Sequence, residues 1–310
     1  MSMNENKNAV TEPCGVLLVD KHEGVTSHDI VNRVRRLYGT RRVGHTGTLD
    51  PLATGLLVVL VGRAAKAAEY LVSDQKRYEA TLRLGFTTDS EDVTGAVLTT
   101  SDAIPSARSV KEACARFQGD IMQTPPMYSA LKVDGQKLVD LARQGKTIER
   151  QARPVTVYKL VCEETETACD YRLDVTCSSG TYIRTLCADI GASLGCGGVM
   201  ATLRRVETGG FSIGDSLSLE ELEKLSEEDR VARLAPVESL FVTCPAVRLP
   251  AFYETLSRSG CEIYQKKIGT ALDVGTRVRM CNSAGDFYAL GEVRDYEDGS
   301  AIKAIKLFVL

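Results

Sequence analysis

The residues best equipped for chemistry lie close together near the start of the chain. Gly44-His45-Thr46-Gly47-Thr48-Leu49-Asp50-Pro51-Leu52-Ala53-Thr54-Gly55 puts one imidazole, one carboxylate and three glycines into twelve residues. Glycines at this density mark a loop, because they accept backbone angles that other residues avoid. The apolar run Leu56-Leu57-Val58-Val59-Leu60-Val61 follows at once and reads as a buried strand. Asp50 therefore sits on a tight loop feeding the core, where an ionised carboxylate is costly without a partner. Two readings are open: an Asp that satisfies a turn before proline, or a carboxylate with a chemical task.

Several elements must position that loop. Gly15 to Lys21 reads as a strand. A helix opens after it with Ser27 as its N-cap, carries Ile30, Val31, Val34 and Leu37 on one face, and ends near Gly39. Its Arg33, Arg35 and Arg36, with Arg41 and Arg42 beyond, form either a solvated face or a phosphate-binding patch. Lys76 to Phe86 alternates as a strand, Thr87 to Gly95 reads as a polar loop, and 107–117 as a helix. Strands resume at Val155–Val161 and Tyr171–Cys177. A turn at Ser178–Thr181 leads into a helix from Tyr182 to Leu194, then a strand region from Val199 to Phe211 and a short helix from Leu217 to Leu225.

Residues 123–154 differ in character. Lys132, Lys137, Arg143, Lys146, Arg150 and Arg153 outnumber Asp134, Asp140 and Glu149, so the segment reads as a mobile, basic excursion from the core rather than part of a sheet. From Val247 onward the pattern is short strands and turns. A boundary near residue 244 and a small β-rich module after it are expected.

Bulk properties narrow the function. The formal charge is -3 over 310 residues, so any nucleic-acid binding must come from local clusters. The ten cysteines include no C-x-x-C pair, and with only three histidines no zinc-ligand spacing emerges. They read as small core residues kept reduced in the cytoplasm. No apolar stretch approaches a membrane span, and residues 1–12 read as a frayed polar tail. A hydrolase built on Asp50 finds little support: the chain has no Gly-x-Ser-x-Gly elbow and no phosphate-binding Gly-Lys-Ser/Thr loop.

Four ordered motifs make the chain resemble the TruB family of bacterial pseudouridine synthases. They are the Gly44–Leu57 loop; Lys76-Arg77-Tyr78 with Leu84-Gly85 and Thr88-Asp89-Ser90-Glu91-Asp92; Gln123-Thr124-Pro125-Pro126-Met127-Tyr128-Ser129-Ala130-Leu131-Lys132; and Cys177-Ser178-Ser179-Gly180-Thr181-Tyr182-Ile183-Arg184-Thr185. The resemblance implies an α+β fold: a mixed, mostly antiparallel central sheet flanked by helices, with an RNA cleft across its centre. It implies a catalytic domain over 13–243, an RNA-gripping thumb at about 123–154, and a PUA-like RNA-binding module over 244–310. Val139 departs from the family, in which the thumb often carries tyrosine there.

The implied activity isomerises uridine to pseudouridine at position 55 in the T loop of tRNA, a rearrangement that needs neither cofactor nor metal. Asp50 would be the nucleophile, Arg184 its partner, and Tyr78 the residue beside the base. Tyr182 would wall the pocket, although it reads equally as a core residue, and Leu203 would floor it, with a plain core reading only slightly weaker. His45 would fill the space left by the extruded base. Lys21, Lys132, Arg143, Lys146 and Arg153 would bind the substrate, the thumb residues through phosphates. The partner would be the T arm of tRNA, met by a monomer with no membrane and no obligatory protein partner. The same chemistry on another T-loop-like RNA, and a chaperone that refolds tRNA, are the alternatives.

Overall fold

A computed structural model describes residues 12–71, 75–129, 131–133 and 135–309. Residues 1–11 of the expected tail, Asp134 and the side chain of Lys137 lie outside the described residues. Nine strands form the central sheet: β1 (Gly15–Lys21), β2 (Val43–His45), β3 (Thr54–Val61), β4 (Gln75–Leu84), β5 (Gly119–Gln123), β6 (Arg153–Glu164), β7 (Asp170–Ser178), β8 (Gly198–Thr208) and β9 (Phe211–Ser212). Their order is β1-β3-β8-β4-β7-β6-β5, with β2 pairing β3 and β9 pairing β8. Only β3 and β8 run parallel in this sheet among the described residues. The fold is α+β with a mixed, mostly antiparallel sheet, as the resemblance implied.

The unbroken apolar run of β3 is explained by its place. Leu57, Val59 and Val61 pack into one core with helix α1 (Ser27–Leu37), while Leu56, Val58 and Leu60 pack into another on the opposite face. A strand buried on both sides has no polar alternation to show. Gly55 lets β3 enter beside β8. Its φ is +99°, and a Cβ there would lie 2.3 Å from the Arg205 carbonyl oxygen.

Register decides which side chains share the working face. Tyr78 lies opposite both Arg205 on β8 and Val175 on β7, and Ala80 lies opposite Leu203. Because a strand alternates faces, Lys76, Tyr78 and Ala80 project to the same side as Leu203 and Arg205. Helices α2 (Ala107–Arg116) and α3 (Ile183–Leu194) cover that face through Val110, Ala113, Cys114, Ile183, Leu186 and Ile190.

The structure revises several boundaries. Thr26, rather than Ser27, caps α1, in a reciprocal box with Asp29. The strand expected to reach Phe86 stops at Leu84, because Gly85 at φ +103° breaks it. Phe86–Thr88 then pairs with Val97–Thr100, where a polar loop was expected. Tyr182 is the cap of α3 and not its first residue. The basic segment is anchored in the sheet, since Arg153 pairs with Gln123 and Pro154 with Met122. It also carries structure of its own: a short hairpin (Lys132–Val133 with Gln136–Lys137) and a helix (Leu138–Arg143) over a small core of Met127, Leu138 and Leu141.

Residues 246–307 build a second sheet, ordered Ala246–Arg248, Arg277–Cys281, Phe287–Arg294, Ala301–Leu307 and Ile263–Tyr264. The expectation of strands and turns alone omitted its helices, Ala251–Arg258 and Gln265–Ile268. This sheet is packed onto the first. Phe287, Leu290 and Phe308 share a core with Phe241, Val16, Leu56, Val58 and Leu60.

Candidate active site

Asp50 is held in place through the backbone on either side of it. Ser27, freed from capping, is buried, donates its hydroxyl to the Leu49 carbonyl at 3.0 Å and accepts from the Leu49 N–H at 2.8 Å. Lys21, expected to bind substrate, is instead fully buried. Its ammonium donates to the carbonyls of His22 at 2.9 Å and Pro51 at 3.3 Å, which braces the loop from below. Burial pulls its pKa down to about 8 against the attraction of Asp50.

The fixed loop presents Asp50 to Arg184. The Arg184 Nε lies 3.0 Å from Asp50 Oδ2, with the arginine side chain 5% exposed and the carboxylate 37% exposed. Arg184 is aimed by three further contacts. Nη1 donates to the Ser90 carbonyl at 3.1 Å and stands 3.9 Å from Asp92, and Nη2 donates to the Tyr128 carbonyl at 2.9 Å. Asp92 is set by Ser90 and Thr94, whose hydroxyls donate to Oδ1 at 2.7 and 2.6 Å. The guanidinium thus ties together the Asp50 loop, the acidic turn and the root of the basic segment. Burial raises the pKa of Asp50, Arg184 works against that rise, and Asp92 adds to it.

A cavity of about 310 Å³ opens beside this pair, lined by Asp50, Lys76, Tyr78, Tyr182, Arg184 and Leu203, with Thr48, Ser129, Leu131 and Thr181 around its edge. Tyr78 is buried, and burial raises its phenol pKa while the nearby Arg205 opposes the shift. Tyr182 is locked by Gln123: its N–H donates to Oε1 at 2.9 Å and its carbonyl accepts from Nε2 at 3.0 Å. Burial raises its pKa as well. The lining gives a flat heterocycle an aromatic wall and an apolar floor.

The other expected residues stand outside this cavity. His45 lies on the same loop at the end of β2, its Nδ1 accepting from the Gly47 N–H at 3.3 Å. Burial lowers its pKa, so it is neutral at pH 7. Lys132, Arg143, Lys146 and Arg153 are exposed along the basic segment. The arginines near α1 are partly engaged: Arg33 pairs with Glu223, Arg42 with Glu12 at 2.8 Å, and Arg35 donates to the Val43 carbonyl at 3.3 Å.

Ser27, Lys76 and Arg205 are the residues that sequence reasoning missed at this site. The signal for the last two is the β4–β8 register, which the sequence does not print. Among the described residues, no cluster of three or more His, Cys, Asp or Glu side chains is arranged to hold a metal ion. No helix there is long and apolar enough to cross a membrane.

The chain matches known proteins along most of its length. Residues 35–183 match the TruB family pseudouridylate synthase (N terminal domain), and residues 184–242 match the tRNA pseudouridylate synthase B C-terminal domain. The chain is 43% identical over 285 residues to tRNA pseudouridine synthase B of Burkholderia mallei (strain NCTC 10247), covering 91% of this chain and 93% of the relative. It is 40% identical over 295 residues to the protein of that name from Clostridium kluyveri, covering 95% and 99%. With the Dechloromonas aromatica protein of that name it shares 48% over 241 residues, covering 78% and 80%. Among solved structures, a chain of a Cbf5-Nop10-Gar1 complex superposes with a TM-score of 0.72 at 24% identity, covering 95% of this chain and 85% of that one, which shows a shared fold. With those family matches and relatives at 40–48% identity, the chain belongs to the TruB family of pseudouridylate synthases and is a pseudouridine synthase.

Proposed function

We propose that this enzyme isomerises uridine to pseudouridine at position 55 in the T loop of tRNA, using Asp50 as its nucleophile. The observation that carries the reading is the Asp50–Arg184 pair at 3.0 Å beside a cavity walled by Tyr78 and Tyr182 and floored by Leu203. The relatives named tRNA pseudouridine synthase B support tRNA as the substrate. The exposed basic segment 123–154 supports an enzyme that grips its own RNA, here as a thumb. We read residues 244–310 as a PUA-like RNA-binding module. Ten free cysteines fit the reducing cytoplasm, where the enzyme works as a monomer.

The reaction breaks the C1′–N1 bond, turns the freed uracil and forms a C1′–C5 bond; C5 then gives up its proton and N1 takes one up, so atoms and electrons balance without a redox partner. Extruding the uridine costs a few kcal/mol of stacking, and His45 would fill the gap. Asp50 forms a transient covalent bond to the nucleotide while Arg184 keeps it ionised and oriented. Tyr78, with a raised pKa, is a phenol at neutral pH. It holds the detached base and relays a proton rather than standing as a phenolate. Lys132, Arg143, Lys146 and Arg153 position the RNA through its phosphates.

Release of labelled hydrogen from C5 of uracil in tRNA transcripts, with mapping of the modified site, tests the reading. Asp50→Asn is expected to abolish release while tRNA binding survives. Near-normal turnover in that variant would remove Asp50 as the nucleophile.

A further inference from the structure

Arg205 is a buried cation that pairs with no carboxylate among the described residues. It is 1% exposed, spends Nε on the Leu56 carbonyl at 2.8 Å and Nη2 on the Gly47 carbonyl at 3.1 Å, lies against the neutral Tyr78 phenol, and buries Nη1 with no hydrogen-bond partner of normal geometry among the described residues. Lys76, two residues before Tyr78 on the same face, lines the cavity and makes no ion pair among the described residues. The two cations converge. A methyl group placed on Gly47 would lie 3.4 Å from Arg205 Nη1 and 3.7 Å from Lys76 Nζ. The thiol of Cys177 nearby is pushed up to about 11 by burial, so it is neutral and supplies no counter-charge. Other arginines of this sheet and site do hold carboxylates: Arg77 holds Asp174 at 2.9 Å and Glu207 at 3.0 Å, and Arg184 holds Asp50.

Keeping two cations together without an anion costs stability unless an anion arrives with the ligand. The spot they face is the missing side chain of Gly47, the residue before Thr48 of the cavity lining. A nucleotide whose base enters that cavity must lay its phosphate across the cavity rim. We infer that Lys76, standing over Gly47 with Arg205 beneath, seats one backbone phosphate adjacent to the extruded uridine. This rests on the reading of the cavity as the uridine pocket. Lys76 makes the contact. Arg205, too deep to touch the RNA, is a positioning residue that holds Gly47 and adds positive potential.

Binding measured in the Asp50→Asn background separates this inference from the nucleophile assignment, because residual hydrogen release reports on the latter alone. The probes are T-arm hairpin RNAs with one neutral methylphosphonate linkage, placed either 5′ or 3′ of the target uridine. Lys76→Met is expected to weaken binding of the unmodified hairpin about tenfold and to lower the slope of log K against log salt by about one, with Lys76→Arg restoring both. One of the two neutral linkages should cost the Lys76-containing protein as much, and should cost Lys76→Met nothing more. Gly47→Ala puts a methyl where the phosphate oxygen would sit, at a backbone angle alanine tolerates, and should reproduce the loss if Lys76→Met fails to fold. An unchanged salt slope, or penalties that add in full at both linkages, would overturn the inference.

Discussion

Asp50 is pulled two ways: burial and Asp92 push its pKa up, and Arg184 holds it down. Replacing Arg184 by Met removes the larger opposing charge and leaves Lys21 as the remaining one, so the carboxylate protonates at higher pH. The proposed nucleophile must be ionised, so activity is expected to be lost as pH falls through this pKa. The acid limb of the kcat/KM profile should therefore move to higher pH in Arg184→Met and move less in Arg184→Lys, which keeps the charge without the fork. An acid limb that stays in place would mean that Arg184 orients Asp50 without tuning it. The pair was legible in the sequence because each partner sits inside a distinctive local motif. Lys76 and Arg205 were not, because what matters about them is a cross-strand juxtaposition, with Arg205 opposite Tyr78 and beneath Gly47. Leu203-Arg204-Arg205 reads as an ordinary strand, and the neighbouring Arg204 indeed makes an ordinary surface pair with Asp20 at 2.7 Å.

At the level of elements, adjacent residues at the start of α1 divide the labour. Thr26 caps the helix, and Ser27 grips both backbone groups of Leu49, next to Asp50. Local sequence allowed either hydroxyl to be the cap; only the position of the Asp50 loop distinguishes them. Thr26→Ala should cost about 1 kcal/mol of stability and leave kcat unchanged. Ser27→Ala strands two buried backbone groups, should cost about 1–3 kcal/mol, and should also lower kcat with little change in KM, because it loosens the loop that carries Asp50. Urea unfolding alongside steady-state kinetics separates the two, and equal kcat values would remove Ser27 from the positioning of Asp50. Strand β3 was legible from its apolar run alone, whereas the end of β4 at Gly85 was hidden because Phe86 continues the hydrophobic alternation beyond the break.

Across the whole molecule, a net charge of -3 conceals an asymmetry. The basic segment stands apart, rooted where Arg153 pairs with Gln123, and its exposed Arg143 and Lys146 make no ion pair among the described residues. Arg143→Glu with Lys146→Glu should weaken tRNA binding and reduce the salt slope by about two, with kcat at saturation retained; a full salt slope would take these residues out of the RNA grip. The second sheet is the opposite case. Its strands were legible from their short alternating runs, but its attachment was not, because the contact joins Phe287 and Phe308 to Phe241 and strand β3 far away in sequence. The three rings lie 5.7–6.0 Å apart between centroids and close the core behind Leu56, Val58 and Leu60. A junction built this way makes the two sheets one cooperative unit. Phe308, 2% exposed, is the ring nearest the chain end. Phe308→Ala should cost about 3–5 kcal/mol and lower the unfolding midpoint of the catalytic sheet and the second sheet together. Hydrogen exchange followed separately in β3 and in Phe287–Arg294 reads this directly: parallel loss of protection confirms a shared core, and loss confined to Phe287–Arg294 would show that the sheets unfold independently.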